Sequence, residues 1–369
     1  MKNKFIIILS LFISAFFLLS AFSFVKKGPD LQPPGKVKNV ILMIGDGMGL
    51  TQITSGMVVN GNKLNLERFR HIGLMKTFAY KKLITDSAAG ATAFSCGKKT
   101  YNGAIGVGPD TIPCRTILEV AKAKGLRTGL LATSMIQHAT PAAFYAHQPS
   151  RNMYEAISLD MMGGDVDIAI GGGFKYFSRR TDSLDLVSQA EKAGYVVLTD
   201  LKKAKSAAKK SDKIWVLTDD EHPEPYAGGR GEMLKTGTQF MLDELSEGDQ
   251  GFFLMIEGSQ IDWGGHANDA NYVNTEMVDF DRAIGKVLDF AKKNGETLVI
   301  VTADHETGGM AITGGSLEAS TIEAKFNTEG HSATMVPVFA FGPGAEAFNG
   351  IYENTGIYDK MMEALGFNK

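Results

Sequence analysis

Residues 37–49 read VKNVILMIGDGMG. From Val37 to Ile44 the run is apolar but for Lys38 and Asn39. Such a run is the mark of a strand buried on both faces of a parallel sheet. Gly45–Gly49, GDGMG, then breaks the strand, and a helical stretch starts at Leu50. Asp46 therefore falls on a strand-to-helix turn. In an open α/β sheet such turns, at the carboxyl ends of the strands, line the ligand crevice. The spacing is not G-x-G-x-x-G, so the nucleotide-loop reading carries little weight.

The same arrangement recurs along the chain. Thr128–Ser134 reads as a strand, and ATPAAFYAH (Ala139–His147) as a helix with Thr140 as N-cap and Pro141 at its first position. Phe252–Ile256 is a strand ending at Glu257. In DWGGH, Asp262 and His266 share one face if the turn is helical. Thr275–Asn294 reads as an amphipathic helix closed by Gly295. Thr297–Thr302 is a strand followed by Asp304 and His305, and His331 precedes the strand Val336–Phe341. TDSAAGATAFSCG (Thr85–Gly97) places Ser87 in the first turn of a small-residue helix, where free N–H groups and the helix dipole can seat a phosphate. The alternation predicts one α/β domain, a three-layer α/β/α sandwich around a large, mostly parallel sheet. Gly163–Gly237 is the least legible stretch; its lysine-rich Asp200–Lys210 part reads as a solvated helix.

Taken singly, an Asp after a strand is a turn former and a histidine is a hydrogen-bonding side chain. Together they form a pattern, because three of the seven histidines (His266, His305, His331) stand beside Asp or Gly at strand ends. Imidazole and carboxylate suit zinc, and oxygen ligands suit magnesium.

The N-terminus is of another kind. Lys2 and Lys4 precede an apolar Phe5–Leu19 run and the small residues around Ser23. This predicts a signal peptide over 1–23, a Pro/Gly linker over 24–36, and periplasmic or secreted localisation. The run is shorter than the roughly 20 residues a spanning helix needs. A chain of 369 residues with formal net charge −3 shows no basic footprint for nucleic acid. Cys96 and Cys114 are the two cysteines. The core does not depend on their pairing, and separate thiols are the simpler expectation.

NVILMIGDGMG (Asn39–Gly49), TDSAAGATAF (Thr85–Phe94), HATPAA (His138–Ala143), EGSQIDWGGHAND (Glu257–Asp269), VTADHETGG (Val301–Gly309) and GHSA (Gly330–Ala333) together resemble the alkaline phosphatases. They follow the family order over the chain from Val37 onward. The resemblance implies hydrolysis of small phosphomonoesters through a phosphoserine on Ser87, with two zinc ions and one magnesium. One zinc would be held by Asp262, His266 and His331, and the other by Asp46, Asp304 and His305 with Ser87. The magnesium would be held by Asp46, Thr140 and Glu257. Arg151, in PSRNMY (Pro149–Tyr154), matches the phosphate-binding arginine. His138 and Trp263 stand near the magnesium and phosphate, where some members carry Asp and Lys. The resemblance also implies a homodimer and a single domain over 37–369. Only 25 residues separate His305 from His331, so a crown-type insertion over 306–330 must be small. A phosphodiesterase of the same superfamily and an exported metal- or phosphate-binding protein are the alternatives. No C/S-x-P-x-R context surrounds Ser87, which argues against a sulfatase.

Overall fold

The computed structural model describes residues 36–367. The expected signal segment and all of the linker but Lys36 lie outside the described residues. The described chain is built on a ten-stranded sheet. Its strands in chain order begin with β1 (Asn39–Gly45), β2 (His71–Lys76), β3 (Arg127–Met135), β4 (Ile168–Gly172) and β5 (Val196–Leu198). Next come β6 (Ile214–Leu217), β7 (Phe252–Gly258) and β8 (Thr297–Thr302). Four short strands, β9 (Glu306–Thr307), β10 (Ala311–Ser316), β11 (Thr321–Lys325) and β12 (His331–Ser332), make two small antiparallel pairs outside it. β13 (Val336–Phe341) and β14 (Gly350–Glu353) return to the main sheet.

Across the sheet the order is β14-β2-β13-β8-β1-β7-β3-β4-β6-β5. All pairings are parallel except those of β13, which runs antiparallel to β8 and β2. The mostly parallel sheet expected from the sequence is thus the observed one. β1, β7 and β8 are buried along their whole length, which accounts for their unbroken apolar character.

Register explains why distant residues meet. Ile44 of β1 lies opposite Glu257 of β7 and Thr302 of β8, and Glu257 lies opposite Ala132 of β3. Asp46, Glu257 and Asp304 therefore leave neighbouring strands at one level, within two residues of that shared row.

Local details depart from the sequence reading. Thr140 is not an N-cap. His138 takes the extended cap conformation, and the helix is only Ala139–Ala142, with Thr140 inside it. Pro141 is then in the third position, where its missing N–H still costs no helical bond. The long helix begins at Ala270, five residues before Thr275, because the Asp269 carboxylate accepts the Asn271 and Tyr272 N–H groups. It ends at Asn294, and Gly295 adopts φ 74° as anticipated. Asp200–Lys210 forms a 3-10 turn (Leu201–Lys203) and a short helix (Ala204–Ala208), with its lysines exposed to solvent. Both cysteines are free and buried.

Candidate active site

Ser87 is the first residue of the Ser87–Cys96 helix. Asp86 caps that helix by accepting the Ala89 N–H at 3.0 Å. Ser87 Oγ is almost fully buried and lies 3.5 Å from Asp46 Oδ1 and 3.4 Å from His305 Nε2. Close packing holds this arrangement: a Cβ on Gly90, one turn along the helix, would come 3.0 Å from Asp304 Cβ.

Around Ser87 the sequence-predicted residues gather into three groups, each with ligand-type atoms within 4.8 Å of one another. These are Asp262, His266 and His331; Asp46, Asp304 and His305; and Asp46, His138 and Glu257. Asp46 belongs to two of them. Thr140 also faces Glu257 and helps hold that carboxyl down.

The donor atoms suit cations. In the first group, His266 Nδ1 donates to the Glu329 carbonyl and His331 Nδ1 to the Thr85 carbonyl. Both Nε2 atoms are then left facing each other at 3.1 Å beside Asp262. Two neutral imidazoles would set lone pair against lone pair at that distance, so a positive charge has to sit there: a proton on His266 Nε2 shared with Asp262, or a bound cation in its place. In the other groups, the buried Asp46 Oδ2 and Glu257 Oε1 have no hydrogen-bond partner among the described residues. Groups left over in this way are costly unless something else satisfies them.

The electrostatics agree. Burial pushes the Asp46 carboxyl well above the usual range, and the charges of Asp304, Asp262 and Glu257 add to the effect. Burial raises Glu257 to about 8. Burial and the Asp262 charge raise Asp304 to about 6. Burial also opposes ionisation of Asp262, but the hydrogen bond with His266 and the nearby His305 and His331 hold it below the usual range. The same hydrogen bond lifts His266 to about 9. Burial, then the charge of His331, depresses His305. Without cations these carboxylates cannot all be charged at once.

Arg151 reaches the edge of this cluster. Its Nη1 donates to Asp86 Oδ2 at 3.1 Å and its Nη2 to His138 Nε2 at 3.2 Å. Burial works against its charge, but Asp86, Asp46 and Asp262 keep the guanidinium firmly protonated. Trp263 stands edge-to-face against His138, with ring centroids 6.0 Å apart.

A family model, alkaline phosphatase, matches residues 37–325. The chain belongs to the alkaline phosphatase family. Alkaline phosphatase 3 of Bacillus subtilis is 33% identical to it, covering 90% of each chain. The structure of alkaline phosphatase from the Antarctic bacterium TAB5 is 46% identical, with a TM-score of 0.88, over 91% of this chain and 100% of that one. A TAB5 mutant with one histidine replaced by aspartate, solved with Mg bound in the M3 site, is 44% identical, with the same TM-score and coverage. This chain is thus a metal-dependent phosphomonoesterase, a hydrolase of the alkaline phosphatase family.

Several residues of the alkaline phosphatase site were not singled out from the sequence. Asp86 both caps the Ser87–Cys96 helix and pairs with Arg151; the Asp-Ser step at a helix start is its available signal. Ser259 Oγ donates to Glu257 Oε2 at 2.7 Å, and Thr307 Oγ1 donates to Asp262 Oδ1. His222 accepts the Met135 N–H at its Nδ1, 3.1 Å away, and packs on Trp263 with centroids 4.7 Å apart. It lies in the stretch whose elements could not be read, and no spacing marks it.

Proposed function

We propose that this enzyme hydrolyses small phosphomonoesters through a phosphoserine on Ser87. The observation that carries the reading is Ser87 Oγ, placed within 3.5 Å of both Asp46 and His305 at the head of a helix. Asp262, His266 and His331 would hold one zinc. Asp46, Asp304 and His305 would hold a second beside Ser87, and Asp46, Thr140 and Glu257 a magnesium with His138 next to it. Mg in the M3 site of the TAB5 mutant supports magnesium at the third position. When bound, the ions supply Lewis acidity and lower the pKa of a coordinated hydroxyl.

The chain's own groups do the rest. Asp46 and His305 hold Ser87 Oγ in place. Arg151, anchored by Asp86, offers its planar fork to two non-bridging phosphate oxygens, a match that lysine lacks. Ser87 Oγ gives up its proton and attacks phosphorus in line; the Oγ–P bond forms as the ester P–O bond opposite it breaks, and the departing oxygen takes up a proton from water to leave as the alcohol. Water then attacks the phosphoserine, releasing phosphate and restoring the hydroxyl. Helix N–H groups beside Ser87 favour the negative phosphoryl group.

The Phe5–Leu19 run supports export to the periplasm or medium, and the family resemblance supports a homodimer. Residues 37–369 form the catalytic domain, with 306–330 as its small crown-type segment. The test is Ser87→Ala assayed on p-nitrophenyl phosphate and its bis-ester. Turnover should vanish while bound metal, measured by elemental analysis, is unchanged. Retained monoesterase activity would refute the serine assignment. A parent preference for the bis-ester would favour the phosphodiesterase reading.

A further inference from the structure

We infer that Arg151 sets the metal preference of the third site by occupying the lone pair of His138. The inference rests on the reading of Asp46, His138, Glu257 and Thr140 as that site. Arginine is a donor only, so the 3.2 Å contact with Arg151 Nη2 makes His138 Nε2 the acceptor. A neutral imidazole has one lone pair in the ring plane, because its other nitrogen carries the proton. His138 Nδ1 is therefore the N–H, and it is buried with no hydrogen-bond partner among the described residues. With Arg151 in place, neither ring nitrogen is free to coordinate a metal.

The ring is buried and flanked by two other rings. His222 and Trp263 stand nearly perpendicular to it, at 82° and 85°, with centroids 5.5 and 6.0 Å away. Asp86 meanwhile holds the other arm of the Arg151 fork.

The consequence differs between ions. Zinc favours imidazole nitrogen and gains from binding His138, but only by displacing Arg151. Magnesium favours oxygen and can take Asp46, Glu257, Thr140 and water while leaving the Arg151–His138 bond intact. The guanidinium therefore tilts a site containing a histidine toward magnesium. An aspartate at position 138 behaves differently. Its carboxylate has lone pairs for an arginine and a metal together, so Arg151 would not discriminate there.

The test is a ratio. Parent, Arg151→Met, His138→Asp and the double variant are equilibrated against buffered mixtures of Zn2+ and Mg2+ with the first two sites filled by zinc. Third-site occupancy is read by elemental analysis after dialysis. Loss of the arginine charge favours both divalent ions alike, so it cancels in the zinc-to-magnesium ratio. Arg151→Met should raise that ratio about tenfold, as expected for removing one charge-assisted hydrogen bond. The same substitution in the His138→Asp background should change it less than about twofold, since neither lone pair is contested there. In the parent, inorganic phosphate should raise the ratio by drawing Arg151 away. An unchanged ratio in Arg151→Met, or an equal shift in both backgrounds, overturns the inference while leaving the third site standing. Finding only two bound ions at all mixtures overturns the third-site reading as well as this inference.

Discussion

His147 should make the protein lose stability as the solution turns alkaline. Its Nδ1 faces the Gly106 carbonyl at 2.7 Å and its Nε2 faces Glu119 Oε1 at 2.9 Å. Two acceptors require two ring protons, so the geometry selects the imidazolium. Burial opposes that charge, but Glu119 and the Gly106 carbonyl outweigh it and raise His147 from 6.5 to about 9, with Cys114 also contributing. A rise of that size corresponds to roughly 3 kcal/mol. Both side chains are about one-fifth exposed, at 22% and 20%, so solvent screening leaves on the order of 2 kcal/mol. The folded value lies above the unfolded one. The contribution is thus complete below pH 6.5, declines as pH rises, and is gone above about 9. The experiment is urea unfolding of metal-saturated parent and His147→Gln at pH 6, 8 and 10. The gap between them should be about 2 kcal/mol at pH 6, smaller at pH 8 and close to zero at pH 10. A gap that does not change with pH would refute the argument. Local consequences should reach Arg151, because the next residue, Gln148, pairs with Ile105 through its backbone and Arg151 N–H donates to the Gly103 carbonyl.

Chelation should make the stability of the protein strongly dependent on pH. Glu257 and Asp304, at about 8 and 6, lie above their ordinary values of 4.5 and 3.8. Their contribution is complete below pH 3.8 and is lost as pH rises through 6 and then 8. The Tm of metal-free protein should therefore fall from pH 5 to 8.5 relative to the loaded enzyme, and parallel profiles would argue against the buried carboxylate cluster. Gly47→Ala should cost at least about 1–2 kcal/mol from the left-handed backbone alone. At φ 72° its Cβ would come 2.7 Å from Asp262 Cα and 2.8 Å from Thr307 Oγ1, so bound-metal content should drop too; a full metal complement at parental stability would contradict this. Trp263→Lys should place a cation near the phosphate, and inhibition by inorganic phosphate should tighten. Equal inhibition constants in parent and variant would remove the idea.

Much of the site was legible because three of its carboxylates stand at the ends of strands whose apolar runs are unmistakable. Asp46 after Asn39–Gly45, Glu257 within Phe252–Gly258 and Asp304 after Thr297–Thr302 all fall in this class. Burial on both faces demands uninterrupted apolar side chains, so central strands declare themselves locally. The sheet margins do not. β2 alternates buried and exposed residues, β5 has three residues and β14 has four, and each is a strand only because a neighbour supplies hydrogen bonds. The antiparallel course of β13 is likewise a matter of pairing, which local sequence does not encode.

Composition and spacing alone settled the α/β class, the strands that carry the metal-type residues, and Ser87 at the start of a helix. Tertiary structure decided which atoms face one another: that Nε2 of His266 meets Nε2 of His331, that Asp86 braces Arg151, and that His222 and Trp263 frame His138. The difference is physical. Burial periodicity is written residue by residue along the chain, whereas lone-pair direction depends on side-chain torsions fixed by neighbours that lie scores of positions away.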